Sequence, residues 1–304
     1  MDVAAGGGRA VIAGSLFAAV GGVLKRLPPD GSSTPSYYLA LGLFMLAAAL
    51  LRVRWSLLAA GHVPRLGQLV AVMGASGIFT AIGMSAMTAA MGRGHGGISW
   101  AISQSAMIVP FVLSVAVFGD RVGAAGGIGM VLLFAMVAVL GARGGTAGGT
   151  HTGRGWLLVV AAAFLSLGAS QALSIIPQRW PGWTDAANLR IAVSSAFFLA
   201  ALSLAWLVKG GGPIKGRIAL LALAHAVLGF SGQVALFRAI DLLNPHGLVA
   251  LCHPLSTGAT ILSFSIYSRV ALGERFRAAA TAALAAGLLG LLFLAMGSLP
   301  IPWG

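Results

Sequence analysis

"FGDRV" covers Phe118–Val122 and "LGERF" covers Leu272–Phe276. Each ends one long apolar run and begins another. Asp120 and Glu274 stand 154 positions apart. The whole chain holds six acids in 304 residues, so two of them at matching junctions point to a repeat.

The runs between these junctions set the class of protein. Hydrophobic residues make up 58% of the chain and charged residues 8%, with a mean hydropathy of +0.95. A soluble domain carries about 25% charged residues, so this composition cannot supply a water-facing surface. The apolar runs are roughly twenty residues long, enough to span a ~30 Å hydrocarbon core as helix. An all-α polytopic membrane protein follows. The net charge of +13 does not imply nucleic acid. The basic residues stand singly or in small groups between runs, as Arg52, Arg54 and Arg65 do. That is the pattern of snorkelling toward membrane lipid. The single cysteine, Cys252, excludes an intrachain disulfide. The first apolar run ends in Lys25 and Arg26 without a small-residue cleavage site, so it reads as a first membrane helix.

Cuts at charges, prolines and glycine clusters give ten spans: 10–27, 36–51, 66–91, 96–118, 122–142, 155–177, 186–208, 216–243, 247–270 and 277–297. The glycine-rich segment 143–154 has linker composition and leaves five spans on each side, in 1–142 and 155–304. Asp120-Arg121 and Glu274-Arg275 both follow the fourth span of their half. His95 and His246 both precede it, 151 positions apart. "GASG" (Gly74–Gly77) and "GFSG" (Gly229–Gly232) lie in spans three and eight. Two halves with an odd number of crossings face opposite ways, which makes a 5+5 inverted repeat.

Five-plus-five spans with "FGDRV" and "LGERF" closing the fourth span of each half resemble the drug/metabolite transporter superfamily, specifically its EamA-type ten-helix members. The first copy departs from the family's Leu-Gly-Glu-Arg pattern at Phe118 and Asp120. The resemblance implies a carrier that exports an amino acid or related metabolite by alternating access. It also implies a bacterial inner membrane location with both termini cytoplasmic. Charge bias points weakly the other way, with eight Lys/Arg inside and eleven outside in that orientation.

Every acid falls at or outside a span end, so no carboxylate is available for proton exchange at mid-membrane. If protons are coupled, His253 or His225 carries them, because imidazole titrates near about pH 6.5. Polar residues inside the spans are the candidates for a substrate site. They are Trp100, Ser103 and Gln104 in span four, Ser170 and Gln171 in span six, His225 and Gln233 in span eight, and His253, Ser256 and Thr257 in span nine. Ser and Thr also bond their own helix backbone, whereas a glutamine amide needs a partner away from lipid. Pro110 and the Pro254 that follows His253 would free backbone carbonyls. Lys25 and Arg93 read as snorkelling cations, and Asp241 as a neighbour for Arg238 at i+3.

The small-molecule substrate has a second reading. Neutral amides, serines and a tryptophan suit a sugar or polyol, as in the glucose/rhamnose branch of the superfamily. A remote third reading is an intramembrane serine hydrolase, because "GASG" formally matches Gly-x-Ser-Gly, with Ser76 as nucleophile and His225 or His253 as base. No His-Glu-x-x-His and no Asp-Asp-x-x-Asp occurs. The expectation is therefore no enzyme, no metal and no cofactor, with a monomer sufficient.

Overall fold

The computed structural model describes all residues except 1, 29–32, 62, 64, 94–95, 119–122, 144–153, 184, 186, 210–211, 244–251, 275 and 298–304. His95, Asp120, Arg121, His246 and Arg275, which carry part of the sequence repeat, lie outside the described residues, as does most of the 143–154 linker. The described chain is all helix: α1 (Asp2–Leu24), α2 (Thr34–Leu50), α3 (Trp55–Ala59), α4 (Leu66–Arg93), α5 (Gly96–Gln104), α6 (Ile108–Phe118) and α7 (Ala124–Arg143), then α8 (Arg154–Ile175), α9 (Leu189–Val208), α10 (Gly216–Leu243), α11 (Cys252–Ala271) and α12 (Ala278–Gly297). A 3₁₀ turn, Ser105–Met107, joins α5 to α6, and another, Ile176–Arg179, extends α8.

Local chemistry explains several boundaries. Pro35 sits in the first turn of α2, where its missing N–H costs nothing. The α9 start is capped by Asp185, whose Oδ1 accepts the Leu189 amide at 2.8 Å. The expected fourth span is broken at Ser105–Met107. Pro110 lies four residues past Ala106, so the Ala106 carbonyl loses its usual helical i+4 donor and the ring crowds that turn. Pro254 lies in α11, and the carbonyl it was expected to free, four residues earlier at position 250, lies outside the described residues. The short α3 was not anticipated. It has no buried residue and shows Trp55 at the surface, as an interfacial helix would.

Five helical stretches are long and apolar enough to cross a bilayer: Val3–Leu24, Leu66–Arg93, Arg154–Arg179, Leu189–Val208 and Gly216–Leu243. Shorter apolar helices cover Thr34–Leu50, Ala124–Leu140 and Ala278–Phe293. The exterior matches lipid. Leu158 is 70% exposed and Val131 67%, which would be costly in water.

Helices pack in a small set of pairs. α1 packs on α10, α4 on α8, and α7 on α12. All three pairs run antiparallel: Gly6 faces Leu243 while Phe17 faces Gly232, Gly83 faces Leu167 while Ser76 bonds Ser170, and Gly287 faces Met136 while Gly290 faces Gly129. α1 also packs parallel to α11, and α8 parallel to the broken α5–α6 segment. Both parallel contacts are made through glycine. A Cβ on Gly14 would stand 2.0 Å from the Ser256 carbonyl oxygen, and one on Gly168 would stand 2.4 Å from Val109 Cγ2 and 3.0 Å from the Ala106 carbonyl oxygen. Such small-residue contacts let membrane helices approach closely. Thr260 adds to the first of them by donating to the Gly14 and Ser256 carbonyls at 3.0 and 2.8 Å. These directions put the starts of α1, α9 and α11 at one end of the bundle. The ends of α1 and α11 and the start of α5 lie at the other.

Candidate functional site

Between these pairs lies a cavity of ≈ 240 Å³. It is lined by α1, α2, α4, α5, α8, α9, α10 and α11 and not by α7 or α12. The candidate residues all lay in spans four, six, eight and nine, and α2 and α9 also contribute, through Leu41, Met45, Ser194, Ser195 and Phe198. The lining runs from Val20 and Trp100, near the end of the bundle where α1 stops, to Ile240 and His253, near the end where α1 begins.

Of the ten candidate residues, nine line this cavity: Trp100, Gln104, Ser170, Gln171, His225, Gln233, His253, Ser256 and Thr257. Ser103 does not. It is fully buried with its hydroxyl unpartnered. Trp100 and Gln104 share one helical face, and Ser99 and Ser103 lie one residue earlier, turned about 100° away by the 3.6-residue period. That second face meets α8, where Trp156 Nε1 donates to Ser99 Oγ at 3.3 Å.

The polar groups divide into those already bonded and those without partners. Ser76 Oγ donates to the Ser170 carbonyl at 3.0 Å and lies 3.0 Å from Ser170 Oγ. Thr80 Oγ1 bonds the same Ser170 hydroxyl at 2.7 Å and the Ser76 carbonyl at 2.9 Å. His225 Nδ1 bonds Tyr37 Oη at 2.5 Å. By contrast, Trp100 Nε1, Gln171 Oε1 and His253 Nε2 are buried without a hydrogen-bond partner. Ser76 is thus bonded to Ser170, and the His225 nitrogen is bonded to Tyr37. Among the described residues, neither histidine is hydrogen-bonded to Ser76.

At the end where α1 stops, the Glu274 junction does more than close a local turn. Its amide donates to the Ser268 carbonyl at 3.1 Å, as a turn would. Its carboxylate also accepts the Gly96 and Gly97 amides, both at 3.0 Å, and the Ser268 hydroxyl at 2.6 Å. The first amides of α5 have no intrahelical acceptor, so a carboxylate suits them. Lys25 is not a snorkelling cation. Its Nζ lies 3.4 Å from Glu274 Oε1 and donates to the Met91 carbonyl at 3.2 Å. Burial alone would raise the Glu274 carboxyl. The Ser268 and Gly97 bonds, the Lys25 charge and the Gly96 bond together hold it below the usual carboxylate range. Below this cluster, Trp100 stacks on Phe264 with ring centroids 4.9 Å apart.

The opposite end carries a group that sequence reasoning missed. Arg190 is 4% exposed. Its Nε donates to Asp185 Oδ2 at 3.0 Å, its Nη2 lies 3.8 Å from Asp241 Oδ1, and its guanidinium stands 4.3 Å over the Phe237 ring. Asp241 has Arg190 as an ion-pair partner, and the exposed Arg238, expected beside it, also acts on the carboxylate through its charge. Tyr37 and Thr80 were also missed. Only tertiary packing brings them to His225 and Ser170.

No family model matches the chain, and no curated protein does. Thirteen solved chains match. One, described as "Crystal structure of protein", has a TM-score of 0.57 at 20% identity, over 95% of this chain and 95% of its own. That likeness establishes a shared fold over nearly the full length.

Proposed function

We propose that this chain is an EamA-type carrier of the drug/metabolite transporter superfamily. It moves a small polar organic metabolite, an amino acid or related compound, outward by alternating access through the cavity. In this reading it has ten membrane helices as a 5+5 inverted repeat and sits in a bacterial inner membrane with both termini cytoplasmic. It acts as a monomer, without cofactor.

The observation that carries the reading is the exchange symmetry of the packing around the cavity. Replacing each helix by its counterpart about 154 positions away turns the α1–α10 pair into α8–α4, the α1–α11 pair into α8–α5/α6, and α4–α9 into α10–α2. The α7–α12 pair maps onto itself, and it is antiparallel. A two-fold axis relating antiparallel partners lies across the helices, which in a membrane means in its plane. The same offset carries Lys25 to Arg179 and Glu274 to Asp120. Arg179 stands 5.0 Å over the ring of Phe118, two residues before Asp120. Arg179 and Lys25 thus occupy matching positions in the two halves, one beside Phe118 and one beside Glu274, which is what an inverted repeat would give.

The test is substrate counterflow in proteoliposomes with labelled amino acids and sugars. Saturable flux accelerated by trans substrate is expected, and no trans-stimulated flux of any compound overturns the reading. The uncharged amides and the indole of the lining favour the sugar or polyol alternative as the second reading, and the same panel separates the two. Repeating the assay over about pH 5.5–7.5, the range around the ordinary imidazole value, in the parent, His253→Gln and His225→Gln decides the coupling. A flat parent profile marks a facilitator. A pH dependence lost in either variant marks that histidine as the proton carrier.

A further inference from the structure

We propose that a second cleft, between the last turns of α4 and α9, holds one anionic phospholipid. Its phosphate meets a basic rim and its acyl chain lies against the apolar wall below. The proposal needs only a membrane-embedded chain and does not depend on what the central cavity carries.

The cleft arises where two helices part. α4 and α9 meet closely at mid-length, where a Cβ on Gly77 would stand 2.2 Å from the Ser194 carbonyl oxygen. Further along, Ser85 of α4 and Leu202 of α9 already line a space of ≈ 550 Å³, which continues to the helix ends at Arg93 and Lys209. The end of α1 and the start of α2 form its remaining wall. That wall is pinned, because Tyr38 Oη donates to the Met84 carbonyl at 2.7 Å and bonds the Thr88 hydroxyl. The space is larger than the ≈ 240 Å³ of the central cavity, too large for a packing void.

Charge sets the sign of the occupant. Lys25, Arg93 and Lys209 line the cleft, and no acid does among the described residues. Lys25 is shared with Glu274, and its Nζ reaches the Met91 carbonyl at 3.2 Å, which places it beside the last turn of α4. Arg93 and Lys209 are exposed, and neither has a carboxylate within 4.0 Å among the described residues. A cation in a last turn also suits the helix dipole, so one such residue makes no site. Here three of them from α1, α4 and α9 border one space.

The wall below the rim selects a lipid over a soluble anion. It includes Leu24, Leu27, Met91, Leu202 and Ala205. Ala205 is exposed beside Leu204 and Val208, which are 62% and 78% exposed, so the cleft is continuous with the lipid-facing side of α9. A soluble phosphate compound would leave this apolar surface uncovered, whereas an acyl chain buries it. Cations at the ends of membrane helices beside an apolar wall match a lipid whose phosphate sits at the interface and whose chain runs inward.

The experiment titrates the full chain in detergent with dioleoylphosphatidylglycerol, dioleoylphosphatidylcholine or sn-glycerol 3-phosphate. Native mass spectrometry counts the bound lipid, and the rise in unfolding temperature gives a second reading. The first phosphatidylglycerol should bind about tenfold tighter than phosphatidylcholine, and sn-glycerol 3-phosphate should not displace it. Arg93→Gln and Lys209→Gln should each weaken it about fivefold, the effect of one interfacial cation. Ala205→Trp fills the cleft and leaves every charge in place, and it should weaken phosphatidylglycerol at least as much. All three side chains are exposed, so the variants should fold, and their unfolding temperatures without lipid check it. Lys215→Gln removes an exposed cation at the same end, off the cleft, and should bind as the parent does. Equal affinity for the two lipids overturns the proposal. An equal loss in Lys215→Gln does so too, since it marks general surface charge. Displacement by sn-glycerol 3-phosphate assigns the rim to a soluble phosphate compound instead. Full affinity in Ala205→Trp shows that no chain enters the cleft.

Discussion

Lys25 Nζ and Glu274 Oε1 lie 3.4 Å apart, at the point where α1 stops and α5 begins. The pair joins three elements far apart in sequence, because Glu274 also accepts the two leading amides of α5. Breaking it should loosen that end of the bundle. Glu274→Gln and Lys25→Met should each make the floor of the cavity reachable from that side. The measurement is labelling of Val20→Cys, in a Cys252→Ala background, by a membrane-impermeant maleimide added there. A several-fold faster rate is expected in each variant, with no further gain in the double variant because both remove one closure. Unchanged labelling in both variants would show that the pair does not hold that end shut.

The same carboxylate predicts an acid limit. Its folded pKa is depressed below the ordinary 4.5, so the folded state favours the ionised form. The stability this contributes is complete above 4.5 and is lost as pH falls through the lower folded value. At neutral pH Glu274→Gln should cost about 2 kcal/mol, the scale of hydrogen bonds to a charged acceptor. Thermal unfolding in detergent should show the gap between parent and Glu274→Gln narrowing below pH 4.5. A gap that widens on acidification would reverse the assigned direction.

Gly14 and Gly168 hold equivalent positions, each closing a helix onto a carbonyl oxygen, of Ser256 and Ala106 respectively. Valine at either site must push two helices apart, and overpacking of this kind costs about 1–3 kcal/mol. The two losses should be similar. Gly8→Val is the control, since nothing lies within 4 Å of a Cβ there. A large loss in Gly8→Val, or none in Gly14→Val, would show that close approach is not what these glycines serve.

The sequence was legible wherever hydrophobic runs were interrupted by charge or proline. Eleven of the twelve helices among the described residues overlap the expected spans, because long helices follow unbroken apolar runs, and several run ends are marked by Lys25, Arg93, Asp185 and Glu274. The cavity lining was legible for a related reason. A glutamine, histidine or tryptophan in such a run has to avoid lipid, so nine of ten candidates face inward. Ser103 lies off the cavity because α5 carries polar residues on two faces about 100° apart, and periodicity alone does not say which face meets the cavity. Pro110 marks the α5–α6 break within the sequence itself, whereas the reach of Glu274 to Gly96 was hidden because it depends on a neighbour distant in sequence. Arg190 was overlooked because a cation at a helix start looks like any interfacial arginine until Asp241 of α10 is placed beside it.

Arg190 supplies the last prediction. One partner, Asp185, is close and shielded, at 3.0 Å with a side chain 14% exposed. The other, Asp241, is looser, at 3.8 Å with a side chain 58% exposed. Arg190→Leu leaves Asp185 without its cation next to the α9 start and removes the guanidinium from Phe237. Breaking a buried pair at one member costs about 3–5 kcal/mol, and a loss near the lower bound is expected because water reaches Asp241. Asp241→Asn should cost less than about 1 kcal/mol, as exposed pairs do. Asp185→Asn should fall between them, since an asparagine can still accept the Leu189 amide. Arg190→Lys should not restore the parent, because an ammonium cannot serve both acids and stack on a ring at once. Chemical unfolding of the four variants in detergent ranks them. If Asp241→Asn costs as much as Arg190→Leu, the 3.8 Å contact is the principal one and the weighting by exposure is wrong.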